Sequence, residues 1–336
     1  MASVLGTAVH GVVEDLLAIE APGPEAIDWM GDALDEALER RWLEAHTEFH
    51  RAPRHGRWKE DRRAHARDMA VHGLDLLLAA VGAEATTPDR ITGGMWEAVR
   101  SLVLEVEVEA TTFDDRLMGR IDLLLEDRDE AGQRIGFRVA DLKTGRPPKD
   151  RLDSTVERQL LMYRDLISVR HPGTPVRAEG WYTEDRSIHE VSGPDVLEEA
   201  YEAWEATRDL DGHFPPSPGP ACNRFCDWKA WCPHWWTHAQ DAPPTGTFRD
   251  MVVLIHDRKG AEASVEECEP FDASGRAIPT GRMRPIRFDP EAAQRLDELE
   301  ASGHRGAIYL GGAMADRHQI RVGHWSDVLP WAPHSP

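Results

Sequence analysis

The chain has 336 residues, 41% of them hydrophobic and 29% charged, and its 60 acidic against 39 basic side chains give a formal charge of −21. That length supports one sizeable core plus a smaller second domain. Its apolar runs, around Leu74 to Val81 and Met251 to Ile255, fall short of the ~20 residues that cross a bilayer, and no basic start with an apolar block marks a secretory signal; a cytoplasmic chain with no membrane partner is expected.

Three helices are predicted first. Gly6 to Ile19 is capped by Thr7 and stops before Ala-Pro-Gly-Pro; Pro24 to His46 places Ile27, Met30, Leu34 and Leu38 near helical spacing; Trp58 to Val81 does so with Met69, Leu74, Leu77 and Leu78. Leu102 to Ala110 alternates strictly, Leu102, Leu104, Val106 and Val108 against Glu105, Glu107 and Glu109, as a half-buried strand does. Glu107 or Glu109 could reach a metal from this strand, although three glutamates on a wet face are ordinary.

Leu117 to Glu126 reads as a second strand, Asp129 to Gly132 as a hairpin turn, and Ile135 to Lys143 as a third strand. Alternation places Asp141 and Lys143 on one face, and the hairpin can bring Asp122 alongside. Leu142 points the other way but offers a backbone carbonyl, an oxygen suited to a hard cation. Asp153 to Arg170 is a helix with Asp153 and Ser154 as candidate caps, and Gln159 and Tyr163 lie four apart on one face. Two carboxylates, a lysine and this polar pair suit a site that holds a divalent metal and cleaves a phosphodiester: the ion activates water, and the lysine orients it or offsets developing charge. Val176 to Thr183 and Pro194 to Leu210 continue as strand and helix.

Gly119-Arg120-Ile121-Asp122, Asp141-Leu142-Lys143-Thr144-Gly145, Gln159 with Tyr163, and the early Leu5-Gly6-Thr7-Ala8-Val9-His10 together resemble the RecB-like branch of the PD-(D/E)XK nuclease superfamily, over roughly Leu5 to Pro233. The resemblance implies an α/β nuclease core, a mixed sheet flanked by helices. It implies Mg²⁺ or Mn²⁺ held by His10, Asp122, Asp141 and the Leu142 carbonyl, with Asp122, Asp141 and Lys143 catalytic. Gln159 and Tyr163 would line the DNA groove. Exonuclease action on strand ends or single-stranded DNA, in recombination, repair or phage-related processing, follows from the family analogy.

Cys222, Cys226 and Cys232 fall within eleven residues, in a C-x3-C-x5-C-P run between Pro-rich connectors. Such spacing points to shared metal ligation. The run is similar to the tail of iron–sulfur nucleases of this branch, including AddB and the CRISPR-adaptation exonucleases, where a fourth cysteine precedes the early histidine. Here nine residues precede His10 and none is cysteine. A [4Fe–4S] cluster, a zinc site completed by His234 or His238, and packing without metal stay open, with Cys268 a further candidate ligand.

Past Gly246 the pattern changes. Phe248 to Ile255, Arg282 to Phe288, Ala307 to Leu310 and His318 to Val322 read as strands and Pro290 to Ala301 as a helix, a small α+β or partly open barrel domain. The division expected is a nuclease domain over 1–240, including the cysteine-rich tail at 222–232, and a C-terminal domain over 247–336. From Thr245 onward 11 Lys/Arg face 14 Asp/Glu, so most of the negative charge lies before it. That acidity disfavours tight nonspecific duplex binding. Arg146, Lys149, Arg151, Arg158 and Arg164 cluster after the Asp-x-Lys strand and can form a basic groove. No G-x-x-x-x-G-K-[ST] run is present, so any helicase is a separate protein. A catalytically silent DNA-end-binding or regulatory subunit of a defence or recombination complex is the rival reading.

Overall fold

The structure, a computed structural model, describes residues 2–51, 58–129, 131–208, 216–219, 221–222, 226–241, 248–271 and 276–331. Contacts divide the chain into two units, Met1–Phe49 with Trp58–His213, and His50–Arg57 with Phe214–Pro336.

The first unit opens with helices α1 (Ala2–Leu17), α2 (Met30–Arg51), α3 (Arg62–Ala80) and α4 (Gly93–Leu102). A five-stranded sheet follows, in the order β1 (Val103–Thr111), β2 (Met118–Arg128), β3 (Arg134–Lys143), β4 (Val176–Tyr182), β5 (Ser187–Val191). The pairings are antiparallel except β3 with β4, which run parallel because α5 (Ser154–Arg170) carries the chain between them. α6 (Leu197–Arg208) comes last. One core packs α1 to α4 against Leu123, Leu125, Ala140, Leu142 and Trp181; a second packs Leu160, Leu161, Leu166 and Ile167 of α5 against Ile121, Leu124, Phe137, Val139 and Ala178. This is the expected mixed sheet flanked by helices. Asp153 caps α5 by accepting the Thr155 N–H at 2.8 Å.

The strict alternation read along β1 fails. Val106 packs with Leu123 in the first core, whereas Val108 packs with Ile121 in the second, and Leu104 is exposed. Two irregularities cause this: the register slips by a residue between Val103 and Glu105, and Glu107 sits at φ 51°. A left-handed residue inside a strand reverses which face its successors occupy. Asp122, lying opposite Glu107 between the Val106–Leu123 and Val108–Ile121 pairs, shares that crossover.

The second unit holds α7 (Pro233–Asp241), then β6 (Phe248–Lys259), β7 (Glu262–Glu269), β8 (Ile278–Phe288), α8 (Pro290–Ala301), β9 (Ile308–Ala315), β10 (Ile320–Val322) and β11 (Asp327–Pro330). β6, β7 and β8 form a meander; β9 pairs with β6; and β10 pairs in parallel with β8 and antiparallel with β9. The ring β6-β7-β8-β10-β9 therefore closes, with α8 carrying the chain from β8 to β9. β11 stands outside the ring on β9. The small α+β domain expected past Gly246 is present, and its strands join at β10, whose three residues reach both neighbours.

Residues 229–241 pack within this unit. Ala230, Trp235 and Trp236 share a core with Val252, Tyr309 and Trp331. Lys229, 3% exposed, places Nζ 2.7 Å from Asp250 Oδ2 and 4.8 Å from the Trp235 ring centroid. Asp250 also accepts from Trp235 Nε1 at 2.9 Å and the Gly312 N–H at 3.0 Å. Removing one member of such a pair strands the other charge without water. Lys229→Met is expected to destabilise this unit by about 3–5 kcal/mol, read as a lowered urea midpoint.

Candidate metal centre

The site begins with close approaches that only glycine permits. A Cβ on Gly6 would lie 2.8 Å from Thr144 Oγ1, so the first turns of α1 press against the end of β3. A Cβ on Gly119 would lie 2.8 Å from Tyr163 Cε1, so α5 lays that ring directly on β2. The two glycines of the sequence motifs thus set how near His10 and Tyr163 come to the sheet.

His10, from α1, puts Nδ1 3.4 Å from Asp122 Oδ1. The other Asp122 oxygen accepts the Leu142 N–H at 2.6 Å, which fixes the carboxylate against β3. Glu107 completes a group: one ligand atom each from His10, Glu107 and Asp122 lies within 4.8 Å of the others. Among the described residues this is the one set of three such side chains gathered closely enough to hold a metal. One imidazole nitrogen and two carboxylates form a donor set suited to Mg²⁺ or Mn²⁺. Glu107 also pairs with Arg120 at 2.5 Å, on the exposed side.

Asp141 stands beside this group rather than in it. It is 3% exposed, and Lys143 Nζ lies 2.5 Å from its Oδ2 as an ion pair outside hydrogen-bond geometry. A buried carboxylate oxygen with no hydrogen bond is a position a cation can take. Lys143 donates in turn to Gln159 Oε1 at 2.8 Å, and Gln159 Nε2 donates to the Tyr163 hydroxyl at 2.8 Å. The four predicted residues Asp141, Lys143, Gln159 and Tyr163 thus form one polar chain from β3 to α5. Leu142 buries its side chain in the first core and uses its N–H on Asp122.

Crowded carboxylates shift titrations. Burial, then the neighbouring Asp122 charge, pushes Asp141 up to about 6 against the opposing pull of Lys143 and His10. For His10, burial pushes the pKa down, but the hydrogen bond to Asp122 and the charges of Asp122, Asp141 and Glu107 outweigh it and raise it. Burial chiefly raises Tyr163.

Beside Lys143, a cavity of about 450 Å³ is lined by Arg146, Arg151, Asp153 and Tyr182 among others. Of the predicted basic cluster, Arg146 and Arg151 face this space. Arg158 instead pairs with Glu199 at 3.0 Å, and Arg164 binds Asp165 and the carbonyls of Gly193 and Pro194. Those two arginines fasten α5 to the segment that enters α6.

Glu107 lies outside the ligand set that the resemblance implies; its signal in the sequence is its position across the hairpin from Asp122. Glu109 is exposed and lies opposite Arg120. Of the three readings open for the cysteines, packing is the one that needs no ligand group: among the described residues, Cys222, Cys226 and Cys232 form none with one another, with a histidine or with Cys268. Cys222, Cys232 and Cys268 pack beside the tryptophan core of the second unit. The geometry supports neither an iron–sulfur cluster nor a zinc site.

A model of the PD-(D/E)XK nuclease superfamily matches residues 1–233. No curated protein matches the chain. Among solved structures, one described as the crystal structure of SSO0001 is 16% identical and covers 66% of this chain and 84% of that one, with a TM-score of 0.29. No helix among the described residues is long and apolar enough to cross a membrane.

Two outcomes follow from the site. Because the folded-state values of Asp141 and His10 are raised, the stability they contribute is full at acid pH. It is lost as pH rises through about 6 for Asp141, and through the raised value for His10. A divalent ion replaces those protons, so Mg²⁺ is expected to raise the melting temperature above EDTA controls at pH 7.5 and not at pH 5. Glu107→Gly relieves a left-handed backbone while deleting a ligand. Without metal it should melt higher, by about 1 kcal/mol, and it should lose the Mg²⁺ response.

Proposed function

The chain belongs to the PD-(D/E)XK nuclease superfamily, and from that membership we propose that it is a metal-dependent DNA exonuclease of the RecB-like branch, acting on strand ends or single strands. The observation that carries this reading is the His10–Glu107–Asp122 group beside the buried Asp141–Lys143 pair. The nuclease domain is taken as 1–240 and the appended domain as 247–336, with residues 229–241 packing on the appended side.

Mg²⁺ or Mn²⁺ would be held by His10, Glu107 and Asp122, with Asp141 and the Leu142 carbonyl completing the oxygen ligands. Such an ion lowers the pKa of a nearby water and offsets charge on the phosphate. The remaining work falls to side chains. Lys143, whose ammonium lies against Asp141, would orient the attacking water and stabilise charge at the pentavalent phosphorus. Gln159 holds the Lys143 ammonium in place, and Tyr163, resting on Gly119, presents its ring and hydroxyl to the strand. Arg146 and Arg151 bring positive charge to the adjoining cavity, where a phosphate backbone can lie despite the chain's net acidity. With no nucleotide-binding loop of its own, the enzyme takes ends that already exist or that a separate helicase or recombination protein opens.

Asp141→Ala and Lys143→Ala should each reduce cleavage at least ~10²-fold, since each removes charge needed in the transition state. The circular dichroism of both should match the parent. End-labelled linear DNA should be degraded with Mg²⁺ or Mn²⁺ and spared in EDTA, while covalently closed single-stranded circles survive. Equal cutting of circles and linear strands would refute exonuclease action. Undiminished cleavage by either purified variant would refute the assignment altogether.

A further inference from the structure

We propose that the C-terminal barrel is a second nucleic-acid site, one that grips single-stranded DNA by stacking and charge without cutting it. The first ground is topology. A closed ring in the order β6-β7-β8-β10-β9, with a helix between β8 and β9 and a parallel β8–β10 pairing, is the connectivity of the oligonucleotide- and oligosaccharide-binding barrel.

The second ground is a continuous outward row across four strands. Arg287 of β8 lies beside Arg321 of β10, Arg321 beside Met314 of β9, and Met314 beside Phe248 of β6. The Phe248 ring then meets Trp325 edge-on at 6.1 Å, and His324 meets Trp325 at 4.9 Å. Phe248 is 49% and Trp325 51% exposed, so two aromatic rings stand side by side in solvent. Trp325 is nevertheless held: its Nε1 donates to the Gly312 carbonyl at 3.2 Å, and its ring closes over Gly323, where no side chain would fit. A fixed, exposed indole is a ready stacking surface.

Two arginines side by side on neighbouring strands repel each other unless an anion lies between them. Arg287 forms no ion pair among the described residues, and the carboxylate of Asp316 stands 3.9 Å from Arg321. Cations at one end of the row and aromatic rings at the other match a strand's phosphates and bases. The β7 flank, with Glu262 and Glu266 turned outward, suits a polyanion less; Glu266 is already bound to His256 and the Gly281 N–H. An uncharged oligosaccharide would leave Arg287 and Arg321 with only flanking carboxylates, Glu262 in register with Arg287 and Asp316 at 3.9 Å from Arg321, whereas a phosphate can lie between both guanidinium groups, which favours the nucleic acid.

This inference shares with the proposed function the idea of a single-stranded substrate, but its test needs no cleavage. The full chain in EDTA is titrated with fluorescein-labelled oligo-dT and with a duplex of equal length, using fluorescence anisotropy. The parent should bind the single strand more tightly. Phe248→Ala and Trp325→Ala should each weaken it about tenfold. Arg287→Ala with Arg321→Ala should lower the slope of log affinity against log salt by about 1.4, roughly 0.7 per phosphate contact on a single strand. Phe248 and the arginines are exposed, so these variants keep the test decisive even if Trp325→Ala misfolds. All the variants should retain metal-dependent hydrolysis of a small chromogenic phosphodiester. Loss of that hydrolysis in the parent, with oligo-dT binding intact, would refute the nuclease and leave the barrel site standing. Unchanged oligo-dT affinity and salt slope in the Phe248 and double-arginine variants would overturn the barrel proposal, as would duplex binding equal to single-strand binding.

Discussion

Two carboxylates meeting at one partly buried point, with a third buried beside them, is the constraint around which the first unit is arranged. Glu107, Asp122 and Asp141 put negative charge close together, and each visible feature of the site answers it. His10 reaches in from α1, Lys143 folds onto Asp141, Arg120 ties Glu107 from outside, and the Leu142 N–H holds one oxygen of Asp122. Replacing any of these by an apolar group would leave net negative charge away from water. A divalent ion relieves the same crowding more completely, because it coordinates several oxygens at once.

The sheet delivers those ligands by changing faces. A regular strand commits alternate residues to one side for its whole length, and a site fed from both sides cannot be built on it. At Glu107 and Asp122 the hairpin exchanges its two cores, so α1 from one layer and α5 from the other address the same stretch of strand. The left-handed backbone at Glu107 costs on the order of 1–3 kcal/mol, the sort of strain that persists where the surroundings over-determine it. Gly6 and Gly119 do the complementary work from the helix side, by leaving no Cβ in the way.

Much of this is legible in the chain and some is not, for identifiable reasons. The Gly-x-Ile-Asp and Asp-x-Lys strands, the Asp153 cap and the Gln159–Tyr163 pair rest on short-range rules of alternation, capping and i,i+4 spacing, and they occupy the elements those rules assign. α4 is hidden because Gly93-Gly94 reads as a loop, although Thr92 caps it by accepting the Met95 N–H. β7 and β5 are hidden because their alternation is glutamate and histidine against small or branched residues, with little apolar contrast. Glu107 obeys the period-two rule on paper and breaks it in space, since a positive φ at a glutamate leaves no local trace. The cysteine run leaves its readings open for a related reason. Closeness along the chain is not convergence of sulfur atoms, and Trp235 and Trp236, just past Cys232, anchor this segment on Tyr309 and Trp331, residues far downstream.

β1 is also the outer strand of its sheet, with one row of backbone groups unpaired by any other strand. Nine extended residues with an open edge are a template on which a second chain can add, the first step toward aggregation. Here the kink at Glu107 breaks the flatness such addition needs, and the exposed Glu109 adds negative charge along the same strand. The distortion that aims a ligand inward thus blunts the edge outward. A mutation that straightened this strand would be expected to cost solubility as well as the site.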